Sequence, residues 1–392
     1  MHCVLRHLAV IALSVLGASL AGTAQGQVVI LPNTTSPTGE GQAISINNAG
    51  QVAGQIVGAT TPTNPNAPRS AAIWSNFSPI ALPKPAGAPV GGQQSNIAFG
   101  INNTGFAVGM VAWPITGNEF ASHAVRWNNA IATDLGVVPG SAVSHARAIN
   151  AAGDIAGNGF GAAETAVRWT AAGTLKTLDR LPTHTDSIAW RINSAGRIAG
   201  QSGISDGGGS YYELRPVYWD GTTATELPTP IGFNHGLARG ISDAGTIVGS
   251  SASFDDTDTL SYLDYRATRW DAGAPSLLPN LPGFSFGTAQ SVNASGLVIG
   301  ACYSDVNNAA FGFGGVPVLW SGDTVTDLSP LLAPSFPTGS TFSVSDINAS
   351  GQIVGTAVTV DGQKAFVLTV PEPTSLGLLA IGGTLLVRRR KI

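Results

Sequence analysis

Three residues of the chain have side chains suited to binding a sugar or a carboxylate, and they recur at one position of a repeated segment. Arg147, Trp190 and Arg239 each lie three residues before the first polar residue of a copy of that segment. An indole ring stacks on sugars, and a guanidinium donates paired hydrogen bonds to carboxylates. Gln290 occupies the same position in the next copy and adds another hydrogen-bonding group. The alternative is that these side chains pack between repeats and form buried hydrogen bonds.

Two long polar segments, Ile204–Glu213 and Ser253–Tyr262, add further candidate ligand groups. Variable loops on a rigid scaffold are where binding residues usually lie. The candidates are Tyr211 and Tyr212 in the first segment, and Asp255, Asp256 and Asp258 in the second. The aspartates offer oxygen ligands for calcium, although the segment lacks the Gly and the bidentate Glu of an EF-hand loop. The alternative is a solvated acidic loop, and no other cofactor is expected.

The sequence singles out no catalytic centre. We expect no G-x-S-x-G nucleophile elbow, no H-E-x-x-H pattern and no Walker phosphate-binding motif. The glycine-rich run Gly157–Gly161 lies among β repeats rather than in a βαβ unit, so it does not indicate a dinucleotide site. A glycosidase pair of carboxylates can still assemble in space, but no spacing marks one. A net charge of -4, with no basic patch of interleaved aromatic residues before the last few residues, argues against nucleic acid as a partner.

A nine-residue segment that recurs seven times, typified by I-N-A-A-G-D-I-A-G at Ile149, must position the candidate residues. The copies begin at Ile46, Ile101, Ile149, Ile192, Ile241, Val292 and Ile347. In each copy Asn, or Ser242 in the fifth, precedes Gly by three residues, which is the pattern of a type I turn. The flanking residues favour β-strands. Each repeat is therefore predicted to begin with a tight hairpin.

A second signature completes most repeats, since a short apolar strand ends in Trp and a Leu ends another strand eight or nine residues later. Four strands in roughly 43 to 55 residues predict β-propeller blades. The predicted fold class is all-β: a seven-bladed β-propeller of four-stranded antiparallel meander blades over residues 27–369. The seventh repeat lacks a fourth strand and Val28–Leu31 resembles one, so this N-terminal strand is predicted to close the ring. An open β-repeat solenoid is the alternative.

Both ends of the chain have the pattern of targeting segments. Residues 1–26 combine a basic start, the apolar run Leu8–Leu20 and a small-residue exit, which is typical of a secretory signal peptide. Residues 370–392 combine a P-E-P motif, the apolar stretch Leu376–Val387 and a basic cluster that is expected to stay cytoplasmic. The motif and the cluster comprise Pro371, Glu372, Pro373, Arg388, Arg389 and Arg390. A single helix is expected in each segment, the second a short transmembrane one; a buried N-terminal helix and a plain C-terminal anchor are the alternatives.

The P-E-P motif, apolar stretch and arginine cluster, in that order, resemble the PEP-CTERM sorting signal of exopolysaccharide-producing bacteria. This resemblance implies transient retention in the inner membrane, processing by an exosortase, and then release or attachment at the cell surface. The repeats resemble the bacterial HAF-repeat family of predicted extracellular proteins, through the hairpin segments and the strands His123–Val125 and Lys364–Phe366. Most copies here lack the His of that family's motif. The second resemblance implies an extracellular repeat protein and no particular activity.

The sequence therefore predicts an exported, non-catalytic binding or structural module of the cell surface or extracellular matrix, associated with exopolysaccharide or biofilm. Its expected partners are the exosortase and the secretion machinery, with exopolysaccharide or surface proteins as ligands. One alternative is a secreted polysaccharide-active enzyme, a lyase or glycosidase, on the same scaffold. Another is a structural filler of the matrix that binds no glycan.

Overall fold

The repeats fold into four-stranded antiparallel sheets, as the sequence predicts. The computed structural model describes residues 26–33, 40–58, 69–88, 95–114, 120–128, 131–205, 211–255, 261–312 and 314–370. Within them, Gln27–Thr369 forms a single compact unit. Within each repeat the strand order follows the chain, so each repeat is a meander of the kind that forms propeller blades.

The strands of the first four repeats are bounded as follows. The first contains β2 (Gly41–Ile46), β3 (Val52–Val57), β4 (Arg69–Ser75) and β5 (Ser78–Ala81). The second contains β6 (Ile97–Ile101), β7 (Phe106–Pro114), β8 (Phe120–Asn128) and β9 (Ile131–Asp134). The third contains β10 (Ser141–Ile149), β11 (Ile155–Gly161), β12 (Glu164–Trp169) and β13 (Leu175–Thr177), and one bridge, Val143 to Ser122, links it to the second. The fourth contains β14 (Asp186–Ile192), β15 (Ile198–Ser205), β16 (Tyr211–Asp220) and β17 (Thr223–Glu226).

The last three repeats include one strand from the beginning of the chain. The fifth contains β18 (His235–Ile241), β19 (Ile247–Asp255), β20 (Ser261–Asp271) and β21 (Ala274–Leu277). The sixth contains β22 (Phe286–Val292), β23 (Val298–Tyr303), β24 (Val316–Ser321) and β25 (Thr324–Asp327). The seventh contains β26 (Thr341–Ile347), β27 (Gln352–Thr359) and β28 (Gly362–Thr369), and β1 (Gln27–Ile30) pairs with β28 as its outer strand.

The repeated Asn-x-x-Gly segment forms the predicted turn between the first two strands of a repeat. In the first copy the Gly50 N–H donates to the Asn47 carbonyl at 3.0 Å, and Gly50 has φ 77°. This left-handed conformation explains the Gly, since a side chain there would be strained. The Asn47 side-chain oxygen also accepts the N–H groups of Ala49 and Gln51, which holds the turn from inside.

The same Asn has a second role that the sequence analysis does not predict. Asn102 donates its amide Nδ2 to the carbonyl of Asn150 at 2.9 Å, in the next repeat. Equivalent bonds connect Asn47 to Asn102, Asn150 to Asn193, Asn193 to Ser242, Asn293 to Asn348, and Asn348 to Asn47. The interpretation of the repeated Asn as turn chemistry alone is therefore incomplete, because the side chain also joins neighbouring repeats.

The tryptophans of the second signature are buried between sheets. Trp127 donates its indole N–H to the carbonyl of Pro83 at 2.7 Å, directly after buried Leu82 at the end of the preceding repeat. The same bond joins Trp74 to Pro32, Trp219 to Asp179, Trp270 to Pro228 and Trp320 to Pro279. The residue after the recurring Leu thus joins five of the six tryptophan-bearing sheets to the preceding one, whereas the Trp169 indole N–H has no partner among the described residues.

The predicted placement of helices at the two ends alone is wrong, because the repeats contain two short ones. Helix α1 (Val306–Phe311) follows β23; the Asp305 carboxylate accepts the N–H groups of Asn307 and Asn308, and Gly312 ends the helix at φ 75°. Helix α2 (Ser329–Leu332) and a 3-10 turn (Ala333–Ser335) follow β25. None of the helices in the described part of the chain is long and apolar enough to cross a membrane. Apart from Gly26 and Val370, both predicted targeting segments lie outside the described residues.

Candidate functional site

The position three residues before the repeated Asn is a β-bulge in every first strand. In the fourth repeat Ala189 pairs with Gly200 and Arg191 with Ala199, so Trp190 is the extra residue. The bulge residues are Ile44, Phe99, Arg147, Trp190, Arg239, Gln290 and Ser345. A bulge bends its strand and redirects a side chain. Four of these residues, Arg147, Trp190, Arg239 and Gln290, are candidate ligand groups from the sequence, whereas the bulge that displays them is not visible there.

The bulge residue Trp190 contacts the bulge arginines of the repeats before and after it. The Arg147 guanidinium carbon lies 4.1 Å from the centre of the Trp190 ring, and that of Arg239 lies 4.3 Å from it. Trp190 donates its indole N–H to Gln201, and Arg147 donates Nε to the Asn158 side-chain oxygen at 2.6 Å. All three bulge residues are half-buried. Trp190 therefore holds one guanidinium from each neighbouring repeat.

The guanidiniums repel one another in a site with few carboxylates. Burial, followed by repulsion from Arg239, lowers the pKa of Arg147 to about 10, against the opposing effect of Glu164. Burial is also the main cause that lowers the pKa of Arg239, and the positive charge of Arg191 acts in the same direction. Among the described residues, Arg239 makes neither a hydrogen bond nor an ion pair. Within the described part of the chain, Arg239 is thus a positive charge that contacts an aromatic ring and has no counter-ion.

Arg239 also lines a cavity of about 670 Å³ between the fifth, sixth and seventh repeats. Its walls include Gln290, Tyr265 and Tyr303, and Ala310 of α1 covers one side. Burial is the main cause that raises the pKa of both tyrosines. Among the described lining residues, none is acidic and Arg239 alone is basic. We call this space the Arg239 cavity; it lies on the side of the variable loops, where α1 connects the second and third strands of its repeat.

A smaller space of about 190 Å³, the central cavity, is lined by residues from all seven repeats next to the Asn turns. Asp346 accepts the hydroxyls of Ser45 at 2.8 Å and Ser291 at 2.7 Å, and it also accepts the N–H of Ile46 at 3.2 Å. Arg191 lies 3.9 Å from the same carboxylate. Arg191 and Asp346 occupy a position that is Ser, Gly or Ala in the other repeats. A charged residue where the other repeats have a small one is the sequence signal that marks Arg191 and Asp346.

Of the remaining sequence candidates only Asp255 has a described side chain, and it lines neither cavity. Tyr211 and Tyr212 begin β16, and their side chains lie outside the described part. Asp255 ends β19, whereas Asp256 and Asp258 lie outside the described residues. Within the described ranges no three His, Cys, Asp or Glu side chains are grouped to hold a metal ion. Tyr265 and Tyr303 are the lining residues that the sequence analysis missed, and no repeat pattern marks them.

The expectation that no G-x-S-x-G pattern occurs is wrong at the level of sequence. Gly203-Ile204-Ser205-Asp206-Gly207 fits G-x-S-x-G, a motif that serves catalysis when it turns from a strand into a helix. Ser205 instead ends β15, which pairs with β16 in a hairpin, and its hydroxyl donates to the Asp186 carboxylate at 2.8 Å. The described strand–strand setting does not match the strand-to-helix turn that this chemistry requires.

Comparison with known proteins finds similarity of the fold only. No protein-family profile and no curated protein matches the chain. Among solved structures, it is similar to the β-propeller domain of the Trilobed protease from Pyrococcus furiosus, at 10% identity and TM-score 0.49, over 85% of this chain and 96% of that one. It is similar to streptogramin B lyase at 11% identity and TM-score 0.44, over 88% and 98%. It is similar to an ulvan lyase at 11% identity and TM-score 0.44, over 88% of this chain and 94% of that one.

Proposed function

We propose that the protein is an exported, non-catalytic module that binds extracellular polysaccharide through the Arg239 cavity. The observation that carries this proposal is the cavity itself, whose volume of about 670 Å³ suits a small organic ligand. Its walls combine the rings and hydroxyls of Tyr265 and Tyr303 with the amide of Gln290 and the charge of Arg239. Aromatic faces beside a few polar groups are the usual means of orienting a sugar ring.

The proposal includes a scaffold of seven blades closed into a ring by the N-terminal strand. Three observations support closure. Ile30 pairs with Phe366 in β28, the Trp74 indole donates to the carbonyl of Pro32, and the Asn348 amide donates to the carbonyl of Asn47. A ring gives every sheet two neighbours, which an open array does not.

Export and sorting form the second part of the proposal. The signal-peptide pattern of residues 1–26 and the PEP-CTERM resemblance of residues 370–392 support passage across the inner membrane and processing by an exosortase. The HAF-repeat resemblance supports a final position at the cell surface or in the matrix. Deletion of Pro371–Ile392 should change the ratio of released to surface-bound protein, measured by immunoblotting of medium and cells. An unchanged ratio would contradict the sorting role.

The cavity favours binding over catalysis. Glycosidases generally use two carboxyl groups roughly 5–10 Å apart, and the described lining offers no carboxyl group. A tyrosine base in a lyase would need a pKa near the working pH, and burial raises the pKa of both Tyr265 and Tyr303. A polysaccharide lyase or glycosidase remains the alternative. Shortening of the producer's polysaccharide by mature protein, measured by size-exclusion chromatography, would favour it.

The experiment that tests binding is a pull-down of the producer's extracellular polysaccharide with mature protein. Ala310→Trp places an indole in the cavity from α1 and should abolish capture. Ala274→Trp, on the exposed outer strand of the fifth repeat, is the matched control and should leave capture intact. Equal capture by both variants would show that the glycan binds elsewhere, and no capture by the unmodified protein would overturn the proposal.

A further inference from the structure

We infer that the Arg239 cavity recognises a sugar residue that carries a carboxylate or a sulfate, with the negative group paired to Arg239. The inference deepens the proposed function and rests on the same cavity. It concerns the chemical class of the sugar, which neither the volume of the cavity nor its aromatic walls decide. The charge distribution around Arg239 carries it.

The Arg239 side chain is held against an aromatic ring, but its N–H groups have no acceptor among the described residues. Its guanidinium carbon stacks 4.3 Å from the centre of the Trp190 ring, while no described residue accepts its five N–H donors. Stacking on an aromatic face leaves the edge of the guanidinium, where those donors lie, free to bind in the plane. Because Arg239 lines the cavity, a ligand group inside it can reach that edge. A planar carboxylate or a tetrahedral sulfate fits the fork of donors with two parallel hydrogen bonds.

The surrounding charges favour an anion rather than a neutral sugar. The ionisable groups that act on Arg239 are the guanidiniums of Arg191 and Arg147 and the phenols of Tyr265 and Tyr303, none of which is negatively charged near neutral pH. Asp346, the carboxylate 3.9 Å from Arg191, already accepts two serine hydroxyls and two backbone N–H groups. A half-buried cation without a counter-ion is unfavourable, so a bound anion gains both the ion pair and the relief of repulsion.

The size and the walls of the cavity favour a ligand larger than a single inorganic ion. A space of about 670 Å³ exceeds what a single inorganic anion fills. Gln290, a bulge residue of the next repeat, lines the cavity beside Arg239 and can hydrogen-bond sugar hydroxyls. Tyr265 and Tyr303 supply ring surface for the body of the ligand. A charged sugar residue uses all of these groups together.

Isothermal titration of mature protein tests the inference, with galacturonate, galactose 6-sulfate and galactose as probes. Galacturonate or the sulfate should bind at least about tenfold more tightly than galactose, and affinity should fall as salt rises. Arg239→Gln should lower the affinity for the charged probe at least about tenfold. Arg197→Gln is the matched control, because Arg197 also stacks on an aromatic ring, that of Tyr218, but pairs with Asp220 away from the cavity. It should leave binding unchanged.

A second variant separates charge from folding. Ala310→Trp keeps every arginine and fills the cavity, so it should abolish binding of the charged probes while circular dichroism stays unchanged. Equal binding of galactose and the charged sugars would overturn the inference and leave the proposed function standing. Binding of charged monosaccharides without capture of polysaccharide would uphold the inference and overturn the proposed function. No binding of any of these sugars would overturn the inference.

Discussion

At the scale of single residues, the repeated Asn stabilises both its own turn and the contact between repeats. The Asn102 side-chain oxygen accepts the N–H groups of Thr104 and Phe106, while its amide donates to the next repeat. Ser242 replaces this Asn in the fifth repeat and accepts the N–H of Thr246 at 3.2 Å. A serine is too short to reach the sixth repeat, so the line of bonds between repeats is interrupted there.

Ser242→Asn is therefore expected to stabilise the protein. The new amide should donate to the carbonyl of Asn293, as the other six copies do to their neighbours, and raise the free energy of unfolding by about 1 kcal/mol. Urea unfolding followed by tryptophan fluorescence measures the change. Ser276→Asn, at an exposed position of the same repeat, is the control and should have little effect. A lower stability of Ser242→Asn would mean that the fifth repeat has no room for the amide.

His145 gives the protein a predictable response to acid. It lies against Phe99 and Phe160, with ring centres 5.6 Å and 5.0 Å away, and burial followed by the charge of Arg147 lowers its pKa from 6.5 to about 3. The unfolded chain therefore binds a proton below pH 6.5 that the folded chain accepts only near pH 3. The free energy of unfolding must fall as the pH falls through this window.

The His145→Phe variant should lose less stability on acidification than the unmodified protein. Between about pH 7 and about pH 4 the difference in unfolding free energy should be smaller by about 3 kcal/mol, because the aromatic packing stays and the titration is removed. Urea titrations at the two pH values measure it. An equal acid sensitivity in both proteins would show that His145 is already protonated in the folded state at about pH 4.

At the scale of elements, the bulge explains why the nine-residue segment of each repeat ends in glycine. A Cβ added at Gly200 would overlap the carbonyl oxygen of Ile188 on the bulged strand and would lie 2.7 Å from the Trp219 ring. The same overlap with the first strand occurs at Gly54, Gly109, Gly157, Gly249, Gly300 and Gly355. The bulge that displays the candidate ligand residues thus depends on a glycine in the strand beside it.

Gly200→Ala should be among the most damaging single changes in the chain. The backbone of β14 would have to move, so we expect a loss of about 3 kcal/mol and a weakened contact between Trp190 and both arginines. Gly221→Ala is the comparison, since Gly221 has φ 68° with nothing within 4 Å of the added Cβ and should lose only about 1 kcal/mol. Thermal unfolding ranks the two. The opposite ranking would argue against crowding at the bulge.

The elements were predictable where local chemistry determines them. Asn and Gly specify the hairpin turn, and the apolar residues before Trp specify a strand. The turn and the strand can therefore be predicted from the sequence. The bulge at Arg147 is not, because it follows from the close approach of Gly157 on another strand. The Arg239 cavity could not be predicted from the sequence either, because its walls combine Tyr265 and Tyr303, which belong to different repeats. Helix α1 was missed although the interval from Gly300 to Trp320 is long.

At the scale of the whole molecule, the N-terminal strand connects the two ends of the repeat region. Val28 pairs with Leu368 and Val29 with Val367, and Leu31 is buried. Trp74 and Val52 of the first repeat share one apolar cluster with Val354 and Val367 of the seventh. The strand therefore provides the surface on which the first and last repeats meet.

Removal of residues 27–32 from the mature protein should destabilise all repeats together. The deletion exposes the edge of β28, removes buried Leu31 and leaves the Trp74 indole N–H without the Pro32 carbonyl. We expect a fall in the unfolding temperature of several degrees and greater aggregation through the exposed edge. Differential scanning calorimetry and light scattering measure the two effects, and a synthetic peptide covering residues 26–33 added in trans should partly reverse both. An unchanged unfolding temperature would mean that the sheets do not depend on closure by this strand, which would favour an open array of repeats.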